Sequence, residues 1–221
     1  MKAFGMILAA AAIALCAASC ENKPVRVACL GDSITYGHGI ADRENDTYPG
    51  IIGKQLGSGY DVRNFGVCGA TMMNGTDMPY INEQEYRNAL EFNPHLVILM
   101  LGTNDSKPYN WTDRSKFKAD MKAMIDTLRS LPARPEIWLM LPTPVTSHAF
   151  FIDGETIDSE IVPAIRELAL EESLSLVDLN TPFQGKEQYF MDTVHPTEQG
   201  DSIIADIVMN TVFRVKRSVA E

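Results

Sequence analysis

The sequence predicts an α/β protein built on one five-stranded parallel sheet with helices on both faces. Three observations predict it. Five short apolar runs recur along the chain, at residues 25–30, 60–65, 96–101, 136–141 and 174–179. Most lack polar alternation, as strands buried on both faces do. Amphipathic stretches separate them, and strand–helix alternation of this kind folds into a parallel sheet with right-handed crossovers. In the five-strand order 2-1-3-4-5, strands 1 and 3 are neighbours, and a crevice opens at their carboxyl ends.

The elements follow in order. Residues 1–19 start with Lys2 and run apolar and Ala-rich to Ala17-Ala18-Ser19, which reads as a secretory signal peptide. Cys20 follows, and resembles the lipid-modified first residue of a bacterial lipoprotein, although Ala17 stands where such proteins usually carry Leu. Residues 20–24 form a short tether, and residues 25–221 one domain. The first strand stops at Gly31. Helical periodicity covers 48–56 and 81–92. A third helix begins near Thr112 or Asp113 and carries Phe117, Met121, Met124, Ile125 and Leu128 on one stripe, with Lys and Asp opposite. A fourth covers 161–170, where Pro163 fits the first turn. The last starts at Pro196 and runs to about Phe213. The two loops richest in unassigned residues are 71–80 and 142–154.

The chain has 221 residues, 45% of them hydrophobic, which is enough for one domain with a sizeable core. A formal charge of −10 argues against nucleic acid or an anionic membrane surface as the main partner. Export would leave Cys20, Cys29 and Cys68. Cys29 and Cys68 are read as free thiols near strand ends, although an oxidising compartment would permit a pair. No Cys-x-x-Cys or His-x-x-x-His spacing points to a metal.

Strand 1 delivers Gly31-Asp32-Ser33 to the crevice, and strand 3 delivers Gly102-Thr103-Asn104-Asp105. Strand 2 ends in Asn64-Phe65-Gly66-Val67-Cys68-Gly69, whose glycines allow backbone N–H groups to approach a ligand closely. A serine hydroxyl, a side-chain amide and free N–H groups are the parts of an acyl-transfer site. The same stretch is compatible with a plain strand-to-helix turn capped by Asp32 or Ser33. Such a serine needs a base. His95 opens strand 3 at the wrong end. His38 and His148 lie in loops on the right face and read as surface or substrate contacts. His195 stands three residues after Asp192, which is placed to hold its tautomer through Nδ1.

These residues resemble the SGNH (GDSL) hydrolase family. Its four blocks occur in order as Gly31-Asp32-Ser33, Asn64-x-Gly66-x-x-Gly69, Gly102-x-Asn104-Asp105 and Asp192-x-x-His195. The resemblance implies a three-layer α/β/α sandwich of flavodoxin-like order, and needs no metal or organic cofactor. It implies Ser33 as nucleophile and His195 as base, with Asp192 orienting it. The Ser33 and Gly69 N–H groups and the Asn104 side chain would form the oxyanion hole.

Tyr36, Tyr109, Trp111 and His148 are candidate substrate contacts, since aromatics among polar groups suit a sugar ring. Tyr109 and Trp111 are equally compatible with packing their loop onto the next helix. The runs 64–72 and 102–111 resemble exported bacterial esterases that deacetylate carbohydrates, including sialate and xylan O-acetylesterases. The expected enzyme is thus a short-chain, acetyl-directed serine esterase of the periplasm or cell envelope, with a small-molecule or polysaccharide ester as substrate. Cys20 would be its lipid anchor to the membrane. Two rivals remain: a lysophospholipase or thioesterase with an acyl groove lined by Met72, Met73 and Met78, and a non-catalytic binding module on the same sheet.

Overall fold

The structure, a computed structural model, describes residues 23–214. The expected signal peptide and Cys20 lie outside the described residues. Strands β1 (Val25–Gly31), β2 (Tyr60–Gly66), β3 (Leu96–Met100), β4 (Glu136–Met140) and β5 (Ser175–Val177) form one parallel sheet in the order β2-β1-β3-β4-β5. Gly31 pairs with Gly66 on one side and with Met100 on the other, so β1, β2 and β3 end level with one another.

Period-two alternation along the strands divides the core into two layers. Ala28, Leu30, Val97, Leu99 and Leu139 face one side. There they meet the helices Gln84–Phe92, Arg114–Arg129 and Val162–Glu171. Val27, Cys29, Ile98 and Met140 face the other, under the helices Tyr48–Leu56 and Glu198–Val208. The result is a three-layer α/β/α sandwich. The stripe Phe117, Met121, Met124, Ile125 and Leu128 is buried throughout, and Asp113 caps that helix by accepting from the Lys116 N–H at 2.8 Å.

Three helix boundaries differ from the sequence expectation, each for a local reason. The stretch 81–92 breaks at Glu83, whose extended backbone separates a single turn at Tyr80–Asn82 from the helix proper. The helix expected at 161–170 has a wide turn, Ile157–Ile161, wound before it. Pro163 has no N–H to continue an α-helical ladder backward, and a wide turn absorbs the missing bond. The last helix starts at Glu198 instead of Pro196, because Pro196 bridges to Phe190 and the Thr197 hydroxyl caps the Gly200 N–H at 3.2 Å. Among the described residues, no helix is long and apolar enough to cross a membrane. Cys29, which is buried, and Cys68, which is half-buried, carry free thiols.

Candidate active site

The carboxyl ends of β1, β2 and β3 carry the predicted residues, and the loop before the last helix brings the rest to them. Asp32 caps the short helix Ser33–Tyr36, its Oδ1 accepting from the Ile34 N–H at 2.9 Å, and so fixes the turn that presents Ser33. Asn64 ties that turn to β2. Its Nδ2 donates to the Thr35 carbonyl at 2.6 Å and its Oδ1 accepts from the Gly66 N–H at 2.9 Å. A Cβ on Gly66 would lie 2.1 Å from the Tyr36 backbone nitrogen, so only glycine permits this approach. Gly69 adopts φ 84°, a left-handed conformation that favours glycine, within a pocket wall shared with Ser33 and Asn104.

Ser33 Oγ lies 2.9 Å from His195 Nε2, and His195 Nδ1 lies 2.7 Å from Asp192 Oδ2. The second Asp192 oxygen accepts from the Val194 and His195 N–H groups at 3.1 and 2.8 Å. Thr193 makes this tight turn possible by adopting φ 71°. Ser33 and His195 are each only 6% exposed. Asn104 Nδ2 donates to the Ala70 carbonyl at 3.1 Å. An amide has two N–H donors, so one is left for a ligand. Asp105, fully buried, accepts from the Met72 and Met73 N–H groups at 2.8 and 2.7 Å and so clamps the chain that carries Ala70.

Charge at the site is uneven. Burial pushes the His195 imidazole below its usual range, and the Asp192 carboxylate pulls it back only in part. Burial works to raise Asp192, yet hydrogen bonds from the His195 N–H and ring outweigh it and leave that carboxyl below its usual range. Behind the site, burial lifts Asp32 to about 6 and Asp105 to about 7 against the pull of their N–H donors. His195 thus meets the serine as a neutral imidazole at neutral pH, able to accept its proton.

The four candidate substrate contacts scatter. Tyr36 stacks under Arg43, whose guanidinium carbon sits 3.3 Å from the ring centre. Trp111 packs against Phe117 at 5.9 Å, half-buried on the core. His148 is exposed on the loop after β4. Tyr109 is exposed and meets Phe151 at 6.3 Å. The cleft over Ser33, about 180 Å³, is walled instead by His38, Cys68, Lys107, Phe150 and Ile152. His38 stacks on His195 at 4.4 Å and Phe150 stands edge-on to it at 5.3 Å. Phe150 was missed by sequence reasoning. The signal was present as adjacent phenylalanines in a loop at the carboxyl end of a central strand. Two larger surface grooves, of about 470 and 530 Å³, contain no histidine or cysteine and lie away from Ser33. Among the described residues, no cluster of three His, Cys, Asp or Glu side chains could hold a metal.

The fold is that of the SGNH-type α/β hydrolases, and the comparisons give the same family. The GDSL-like lipase/acylhydrolase family matches residues 29–203, and the chain belongs to that family. An acetylxylan esterase of Xylanibacter ruminicola is 38% identical over 206 residues, covering 85% of this chain and 43% of the relative. The chain therefore spans less than half the length of that curated relative. A solved acetyl xylan esterase superposes with a TM-score of 0.68 at 22% identity, covering 85% of this chain and 100% of the other. A carbohydrate acetylesterase family member from Sinorhizobium meliloti gives 0.67 at 21% identity, covering 85% and 97%. At that identity the two structures speak for the shared fold.

Proposed function

We propose that this protein removes acetyl groups from carbohydrate esters by an acyl-serine mechanism. The observation that carries the proposal is the hydrogen-bonded line Ser33–His195–Asp192, with Gly69 and Asn104 on the facing wall of the same cleft. Neutral His195 takes the Ser33 proton at Nε2 as Oγ attacks the ester carbonyl. The Ser33 and Gly69 N–H groups and the Asn104 amide hold the oxyanion. Collapse of the tetrahedral intermediate breaks the bond to the alcohol oxygen, which receives the proton from His195. Water, deprotonated by the same imidazole, then attacks acetyl-Ser33 and releases acetate.

Two features support an acetyl ester. The relative that is 38% identical is an acetylxylan esterase. The cleft of about 180 Å³ is small beside typical ligand pockets of roughly 300–1,000 Å³. Of the three methionines that would have to line a long acyl groove, Met72 and Met73 are 1% and 0% exposed and belong to the core, and Met78 alone is half-buried, beside Gly69. This weighs against a lysophospholipase or thioesterase. The Lys2-led apolar start and Cys20 support an exported protein of the periplasm or cell envelope, lipid-anchored at Cys20.

The test is hydrolysis of p-nitrophenyl esters from acetate to decanoate and release of acetate from acetylated xylan, wild type beside Ser33→Ala. Activity confined to acetate, present on xylan and absent in the variant, is the expected result. A preference for long chains would transfer the reading to lysophospholipase or thioesterase, and no turnover by folded protein would favour a binding module.

A further inference from the structure

The loop after β4 holds two aromatic rings where solvent meets the cleft. Phe150 is 54% exposed and Phe151 71%. Both have left-handed backbones, φ 56° and 62°, which bulky residues rarely adopt. The loop is fixed at both ends. The Ser147 hydroxyl bonds that of Thr193 in the Asp192–His195 turn, and the Asp153 N–H donates to Ser106 Oγ at 3.0 Å, two residues past Asn104. Ile152, between them, is buried. Both anchors belong to the loops that carry the catalytic groups, and what they hold in place is two phenyl rings facing water. Exposed rings of this kind gain little from folding and mark interaction sites.

Their position relative to His195 identifies the occupant. In the proposed reaction His195 protonates the departing alcohol oxygen, so the alcohol half of the ester leaves on the His195 side, across the cleft from Gly69 and Asn104. Phe150 stands edge-on to His195 at 5.3 Å. Beyond it, Phe151 meets Tyr109, itself 61% exposed, at 6.3 Å with the rings 66° apart. The cleft, about 180 Å³, is too small to take an ester together with the sugar chain that carries it. A sugar bearing the ester must therefore sit outside it, where its C–H faces can stack on rings already held in place and not immobilised at the moment of binding.

We propose that Phe150, Phe151 and Tyr109 are the docking platform for the sugar chain that bears the acetyl ester. Phe150 faces the sugar under attack, and Phe151 with Tyr109 faces its neighbour along the chain. This rests on the carbohydrate-ester reading above, and the occupant it names is a xylan chain, the ester carrier of the acetylxylan esterase that is 38% identical. Esters on oligosaccharides are then cleaved in preference to esters on single sugars.

The test is titration of Ser33→Ala protein with xylohexaose by calorimetry, repeated with Phe151→Ala, Phe151→Gly and Phe151→Trp added. Glycine accepts the left-handed backbone while deleting the ring, so it separates ring from backbone. Alanine and glycine should each weaken binding about tenfold, and tryptophan should keep it within about threefold. In the Ser33 protein, Phe151→Ala should raise KM for acetylated xylo-oligosaccharides far more than it lowers kcat. Equal binding by the alanine, glycine and parent proteins would overturn the platform while leaving the carbohydrate-ester reading intact. No xylohexaose binding, together with hydrolysis of simple acetates but of no sugar acetate by wild type, would overturn both.

Discussion

The two lips of the crevice are built in opposite ways. The lip formed by the loops after β1, β2 and β3 is pinned from within. Asp32 caps its own turn through the Ile34 N–H, Asn64 and Asp105 bond backbone groups of neighbouring loops, and Ser33, Asn104 and Asp105 are almost fully buried. The lip formed by the loop after β4 turns rings outward and holds its backbone in left-handed conformations at Phe150 and Phe151. Groups that must meet a carbonyl within a few tenths of an ångström are locked by buried hydrogen bonds. Groups that meet a varied substrate are offered to solvent. Damage to the first lip should appear in kcat, and damage to the second in substrate choice.

The sharpest way to break the first lip is through the imidazole. Asp192→Asn leaves the turn able to form but removes the acceptor that fixes the His195 tautomer, and kcat should fall about 10³–10⁴-fold on p-nitrophenyl acetate. A loss below tenfold would remove Asp192 from the mechanism. Asn104→Ala should cost about 10²–10³ in kcat with KM nearly unchanged, as a single oxyanion donor does. An effect on KM alone would make Asn104 a substrate contact. The pH profile of kcat/KM sharpens the electrostatics. Burial holds His195 below its ordinary value, so the acid limb should lie below about 6.5. A limb above that value would mean that the Asp192 charge outweighs burial.

The smallest expected effect on catalysis is at Asp201, beneath the pinned lip. It accepts from the Tyr48 N–H at 2.8 Å, while its other oxygen has no partner, and burial lifts its carboxyl to about 7. A carboxyl raised in the folded state favours folding while protonated. Its contribution is complete below the unfolded value near 3.8 and is lost as pH rises through about 7. Asp105 and Asp32 act in the same direction. Urea unfolding should show lower stability at pH 8 than at pH 5. Asp201→Asn should shrink that difference by up to about 2–3 kcal/mol, the share of the shift that falls between pH 5 and 7, while leaving esterase activity near wild type. An unchanged difference would show that Asp201 titrates as an exposed carboxyl does.

Much of the pinned lip is legible in the sequence because its residues obey strand-end rules. Gly31, Gly66 and Gly102 sit where strands stop, Ser33 and Asn104 each fall two residues past such a stop, and the Asp192–His195 pair stands just before the last helix. Apolar runs buried on both faces mark a parallel sheet, and its strand order is a common one for five strands with right-handed crossovers. The other lip is not legible in that way. Phe150 and Phe151 look like any apolar pair until the backbone is known, because the loop that carries them is tied through Ser147 and Asp153 to Thr193 and Ser106, far away in sequence. Trp111 misleads in the opposite sense. Its composition suits a sugar, but its ring is taken up by Phe117 and the core. The wide turn before Pro163 also depends on a missing N–H whose consequence is decided by packing around Ile157 and Ile161.

The central claim is that Ser33 is an activated nucleophile, and covalent labelling tests it most directly. The purified protein is treated with a fluorophosphonate at neutral pH, digested and mapped by mass spectrometry, beside Ser33→Ala and His195→Ala. The account predicts one phosphonyl adduct on the peptide containing Ser33, none in Ser33→Ala, and labelling slowed by orders of magnitude in His195→Ala with the fold intact. Ester hydrolysis without an adduct at Ser33, or an adduct on another residue that persists in Ser33→Ala, would contradict it.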